Sequence, residues 1–127
     1  MRGLFFEADM SQQKHLLVVE GTKPVARVIK HIATSAGYRV TVAESFEEVK
    51  ALIQQDHDFF LASIDYSLPD ALDGEVIPFI LEHEIPGIVM TGRMDDKTRT
   101  QMLSLPIVDY ITKDNVQAFD YLSRILK

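Results

Sequence analysis

Apolar residues along the chain gather into short blocks of two kinds, and the two kinds alternate. Residues 15–19 form a brief apolar run that stops at Glu20-Gly21. From Pro24 the spacing turns helical, with Val25, Val28, Ile29, Ile32 and Ala36 on one face. Pro24 suits a first helical turn, and Gly37 suits the position just past the end. Residues 38–43 alternate and carry β-branched side chains, which predicts a second strand. Ser45 with Glu48 three residues on is a capping box, opening a helix that turns Phe46, Val49, Leu52 and Ile53 inward. Asp56-His57-Asp58 closes that connection. Residues 59–64 then read as a buried strand of the kind found at the centre of a parallel sheet, and the run breaks at Asp65.

Pro69 and the Asp73-Gly74 pair mark the loop after Asp65. Residues 74–83 predict a third helix with Val76, Ile77, Ile80 and Leu81 inward, and Pro78 falls in its opening turn, where a missing N–H is tolerated. Residues 87–90 predict a fourth strand ending at Thr91-Gly92. Asp95-Asp96 can cap a short fourth helix reaching about Ser104, with Met102, Leu103 and Leu105 as its apolar contribution, and Pro106 ends it. Residues 108–112 predict a fifth strand that ends in Lys113, and residues 116–126 the last helix.

Alternating strand and helix patterns of this kind specify a β-α repeat. Right-handed crossovers then place helices on both faces of a parallel sheet. The expected fold is α/β, a doubly wound (βα)5 sandwich; of the common orders for such sheets the flavodoxin-like one, five parallel strands in the order 2-1-3-4-5, is the order expected here. Val18, Val19, Leu61, Ile64, Ile88, Val89 and Ile111 should be buried in it.

Composition narrows the class. At 127 residues the chain makes one domain, with a core that needs no staples. Residues 1–13 lack periodicity and are expected to be a flexible tail, leaving 14–127 as the folded unit. Cysteine is absent, which excludes disulfides, thiolate chemistry and cysteine zinc sites. A net charge of -6 argues against direct nucleic-acid binding and suits magnesium or a basic partner surface. No apolar run reaches membrane-spanning length, and Leu4-Phe5-Phe6 is too short for a signal core, so a cytoplasmic protein without membrane contact is expected. His15, His31, His57 and His83 are scattered without metal-ligand spacing.

The chemistry gathers at the strand ends: Glu20, Asp65, Thr91 and Lys113. In the order 2-1-3-4-5 strands one and three are neighbours, so Glu20 and Asp65 converge at the topological switch point. An acid at the end of strand three is either a loop cap or a reactive group. Two carboxylates held close raise each other's pKa unless a cation lies between them, and a hard divalent ion suits such donors. Thr91 and Lys113 offer a hydroxyl and a point charge for phosphoryl oxygens. A carboxylate can itself accept a phosphoryl group as an acyl phosphate.

Set in this order, Val18-Val19-Glu20, Asp65 with Leu68-Pro69 and Asp73-Gly74, Met90-Thr91-Gly92 and Asp109-Tyr110-Ile111-Thr112-Lys113 make the chain resemble a receiver domain of bacterial two-component response regulators. The resemblance runs from about Lys14 to Lys127. It implies a regulatory domain rather than an enzyme in its own right, one that catalyses at most its own phosphorylation and dephosphorylation. Asp65 would take a phosphoryl group from a sensor histidine kinase or a phosphotransfer protein. Glu20, Asp65 and the backbone carbonyl of Ser67 would hold magnesium, Thr91 and Tyr110 would be the switch pair, and Lys113 would bind the phosphoryl group. The face made by helix four, strand five and helix five, with Arg99, Asp109, Asp120 and Arg124, would carry a homodimer or output contact.

Three features depart from the family pattern. Gly21 stands where a second acid is usual, which weakens the metal site. Asp114 follows the lysine where proline is usual, so a trans peptide is expected there. The loop from Asp65 to Gly74 is one residue longer than usual. The ending Ile111-Thr112-Lys113-Asp114-Asn115 resembles receivers that precede diguanylate cyclase domains. Gly21 also sustains an alternative, a phosphorylation-independent pseudo-receiver serving as a dimerisation or protein-interaction module. A flavin protein on this fold is disfavoured, because Gly21-Thr22-Lys23-Pro24 is a poor phosphate loop.

Overall fold

The computed structural model describes residues 13–55, 58–113 and 117–127. Among them, strands β1 (His15–Val19), β2 (Arg39–Ala43), β3 (Leu61–Asp65), β4 (Gly87–Thr91) and β5 (Asp109–Thr112) alternate with helices α1 (Lys23–Ser35), α2 (Phe46–Gln54), α3 (Val76–Glu82), α4 (Asp96–Leu103) and α5 (Ala118–Leu126). Residues 1–12 of the expected tail lie outside the described residues, as do Asp56, His57, Asp114, Asn115 and Val116. The expected trans peptide after Lys113 and the start of the last helix at Val116 therefore fall outside them too.

The strands pair in parallel in the order β2-β1-β3-β4-β5, the flavodoxin-like order expected. Alternate residues of each strand serve opposite layers, because side chains alternate across a sheet. Leu16, Val18, Leu61, Ile88, Met90 and Ile111 meet Ile29 and Ala33 of α1 and Leu122 and Leu126 of α5. On the other face Leu17, Val19, Ala62, Ile64 and Val89 meet Val49 of α2, Ile77 and Ile80 of α3 and Met102 of α4. All seven residues expected in the sheet core are buried.

Caps fix where the helices begin and end. Ser45 accepts from the Glu48 N–H at 3.1 Å, and the Glu48 carboxylate reaches back to the Glu44 N–H at 2.8 Å. Asp95 caps α4, taking the Thr98 N–H at 2.9 Å. Gly37, with φ of 96°, turns the chain out of α1. Among the described residues no helix is long and apolar enough to cross a membrane.

Five local expectations need correction. Val28 is 43% exposed, because α1 turns Ala26, Ile29 and Ala33 to the sheet instead. Phe60 stands outside β3 at 47% exposure, covered on one side by the Lys14 ammonium 4.4 Å from its ring centre. Leu103 and Val108 also face solvent, so Met102 alone of the apolar residues in α4 is buried and β5 begins at Asp109. The third helix is shorter than 74–83, spanning Val76–Glu82.

Candidate functional site

Parallel pairing brings the strand ends to one edge. Val19 lies opposite Ile64, so Glu20 and Asp65, each one residue on, stand side by side. Thr91 lies opposite Thr112, and the Lys113 N–H donates to the Thr91 carbonyl at 2.7 Å. Four residues spread over most of the sequence thus reach one level of the sheet.

Three of them are joined directly. The Lys113 ammonium lies 2.8 Å from Glu20 Oε1 and 3.1 Å from Asp65 Oδ1. Glu20 is 1% exposed, and its other oxygen accepts from the Thr22 N–H at 3.1 Å. Asp65 Oδ1 also faces the Ser67 N–H at 3.4 Å. Burial, reinforced by the Glu20 carboxylate and opposed by Lys113, pushes the Asp65 carboxyl up to about 6. Two acids and one base leave the pocket with a surplus negative charge.

Thr91 is buried, and its Oγ1 accepts from the Arg93 N–H at 2.9 Å. Tyr110 is half-buried against the α3–α4 layer of the core, and burial pushes its hydroxyl up. Among the described residues that hydroxyl is buried without a hydrogen-bond partner. Ser67 faces solvent at the loop's start, its Oγ donating to the Leu72 carbonyl at 3.0 Å. Glu20, Asp65, Lys113 and Ser67 therefore form one connected group, while Thr91 and Tyr110 flank it without a hydrogen bond between them.

Gly21 does not adopt a left-handed φ, but a Cβ there would stand 3.1 Å from Pro69 Cδ and 3.6 Å from the Glu44 carbonyl. The Pro69 ring thus lies over the space where a second acid would begin. Among the described residues no group of three or more His, Cys, Asp or Glu gathers for a metal. Two carboxylates with surplus negative charge are nonetheless donors of the kind magnesium takes.

Sequence reasoning missed the second ring of residues. The Arg93 guanidinium pairs with Asp73 at 3.5 Å and Asp95 at 3.6 Å, and lies 5.5 Å from the centre of the Tyr66 ring. Tyr66 in turn packs on Gly74, where φ is 78° and a Cβ would meet the ring at 2.5 Å. The Asp73-Gly74 turn pair was the available signal for that contact. Nothing local in the sequence marks Arg93.

Residues 16–123 match the response regulator receiver domain family. Over 100 residues the chain is 30% identical to response regulator RR06 of Streptococcus pneumoniae serotype 2 (strain D39 / NCTC 7466), covering 78% of this chain and 46% of that protein. The chain therefore spans about half the length of the curated relative it matches. A CheY-like response regulator receiver domain protein from Methanospirillum hungatei JF-1 is 28% identical with a TM-score of 0.75, over 89% of this chain and 90% of that one. A putative two-component system response regulator/GGDEF domain protein is 26% identical with a TM-score of 0.77, over 90% of this chain and 46% of that one.

Proposed function

The chain belongs to the response regulator receiver domain family, and from that premise we propose that it works as a phosphoacceptor switch in a two-component phosphorelay. Residues 14–127 are the receiver, with 1–13 as an extension. The donor is the phosphohistidine of a sensor histidine kinase or phosphotransfer protein, met in the cytoplasm. An Asp65 oxygen forms the bond to phosphorus as the P–N bond to the donor imidazole breaks, and the imidazole leaves with that electron pair and takes up a proton. Asp65 must be ionised for this attack, and a carboxyl at about 6 is mostly ionised at neutral pH.

Lys113, held between Glu20 and Asp65, is placed to neutralise the phosphoryl oxygens as they arrive. The Thr91 hydroxyl supplies a donor from the neighbouring strand. Glu20, Asp65 and the Ser67 carbonyl would hold magnesium, which when bound offsets charge on the transferring group. Thr91 moves toward the new phosphoryl group and Tyr110 repacks beside it. The change is read on α4, β5 and α5, where Leu103, Val108 and Tyr121 expose apolar surface among Arg99, Asp109, Asp120 and Arg124. That face takes a second copy of the chain or an output domain, and one of the GGDEF kind named for a similar protein fits the reading.

The observation that carries this proposal is the single contact group of Glu20, Asp65 and Lys113 at the carboxyl edge of the sheet. Incubation with acetyl phosphate and magnesium, followed by mass spectrometry, tests it. A single phosphoryl group on Asp65, absent in Asp65→Asn, is the expected result. No modification at any magnesium concentration would overturn it in favour of the pseudo-receiver.

A further inference from the structure

The loop between β3 and α3 is fastened to α2, a helix from which all of β3 separates it in sequence. The first amides of α2 have no acceptor within the helix. Ser45 takes the Glu48 N–H, and the two amides before it go to Asp70: Phe46 N–H to Oδ1 at 2.8 Å and Glu47 N–H to Oδ2 at 3.0 Å. Asp70 lies 24 and 23 residues further along the chain. The Phe46 amide above all, opposed by desolvation and aided by the Glu47 amide, holds its carboxyl below the ordinary carboxylate value.

Neighbours of Asp70 extend the attachment toward the pocket. Pro69 rests against Gly21. Leu68 and Ala71 exchange backbone hydrogen bonds at 2.9 and 3.1 Å, and both are buried. One residue before Leu68, the Ser67 N–H faces Asp65 Oδ1 at 3.4 Å. A continuous path of contacts therefore runs from the start of α2 to the acid at the end of β3.

We propose that Asp70 is a positioning residue for Asp65, clamping the loop to α2 so that the Ser67 amide stays against the acid and Pro69 stays over Gly21. The chemical consequence of this clamp, an Asp65 held ready for phosphoryl transfer, rests on the receiver reading, whereas the clamp itself is a property of the fold.

Amide hydrogen exchange and acyl-phosphate kinetics on Asp70→Ala and Asp70→Asn test the proposal. In Asp70→Ala, exchange at Phe46 and Glu47 should quicken roughly fivefold or more, and the effect should reach Ser67 and Leu68. The rate at saturating acetyl phosphate should fall by a similar factor with KM little changed, since the loop positions the acid rather than binding the donor. Asp70→Asn keeps one acceptor oxygen and should recover part of both losses. It also supplies the comparison should the alanine variant not fold. Exchange changes confined to Phe46 and Glu47 would make Asp70 a plain helix cap and overturn the proposal. Equal phosphorylation rates in wild type and Asp70→Ala would overturn it as well. A wild-type protein that takes up no phosphoryl group would refute the phosphoacceptor reading, and the exchange pattern alone would then decide the clamp.

Discussion

Replacing Asp65 with Asn removes a negative charge that the fold keeps largely out of water, and the variant should be more stable than the wild type at neutral pH. The folded Asp65 carboxyl titrates at about 6, against an ordinary value of 3.8. The native state therefore binds the proton more tightly than the unfolded chain does. Wild-type stability is full below the unfolded value and falls as pH rises toward the folded one. The gap corresponds to about 3 kcal/mol at its limit. Two features reduce what Asn can recover. The Lys113 ammonium 3.1 Å from Asp65 loses one of its two partners, and Asn keeps a dipole in place of the charge. About 1–2 kcal/mol of added stability at pH 7.5 is thus expected, shrinking toward zero near pH 4.5. Urea unfolding of both proteins at several pH values between these limits measures the difference. A variant less stable than wild type at pH 7.5, or a difference that does not change with pH, would refute the burial argument. It would mean that Lys113 fully neutralises Asp65 in the folded state.

Gly21→Asp adds a carboxylate beside Glu20 and should tighten magnesium binding several-fold, since one such contact is worth about 1 kcal/mol or more. Backbone geometry permits it, but Pro69 Cδ at 3.1 Å from the new Cβ must give way. Calorimetric titration reads the affinity, with a Gly21→Asp/Pro69→Ala double variant to relieve the contact. Equal or weaker binding in both would mean that Glu20 already fills the site or that no metal binds. Tyr110→Phe removes a buried hydroxyl that has no partner among the described residues, and should leave stability unchanged or raise it by up to about 1 kcal/mol in thermal unfolding. A loss of stability would show that this hydroxyl makes a hydrogen bond in solution.

Much of the site was legible because a parallel β-α sheet converts sequence order into position. The apolar runs of β1, β3 and β4 each break at a polar residue, Lys113 follows β5, and parallel pairing brings these ends to one edge. Glu20, Asp65, Thr91 and Lys113 could therefore be placed together before any contact was known. Helix faces were read less well. The spacing of large apolar residues put Val28 inward, whereas α1 turns Ala26 and Ala33 to the sheet, because close approach favours small side chains as much as hydrophobic ones. Partner choice was not legible at all. That Lys113 bridges both Glu20 and Asp65, that Pro69 covers Gly21 and that Asp70 caps α2 depends on how loops from different β-α units pack over the sheet edge. Periodicity records only which side of its own element a residue occupies. Contacts between loops depend on the distances across the folded sheet, and these exist only once all the strands are in register.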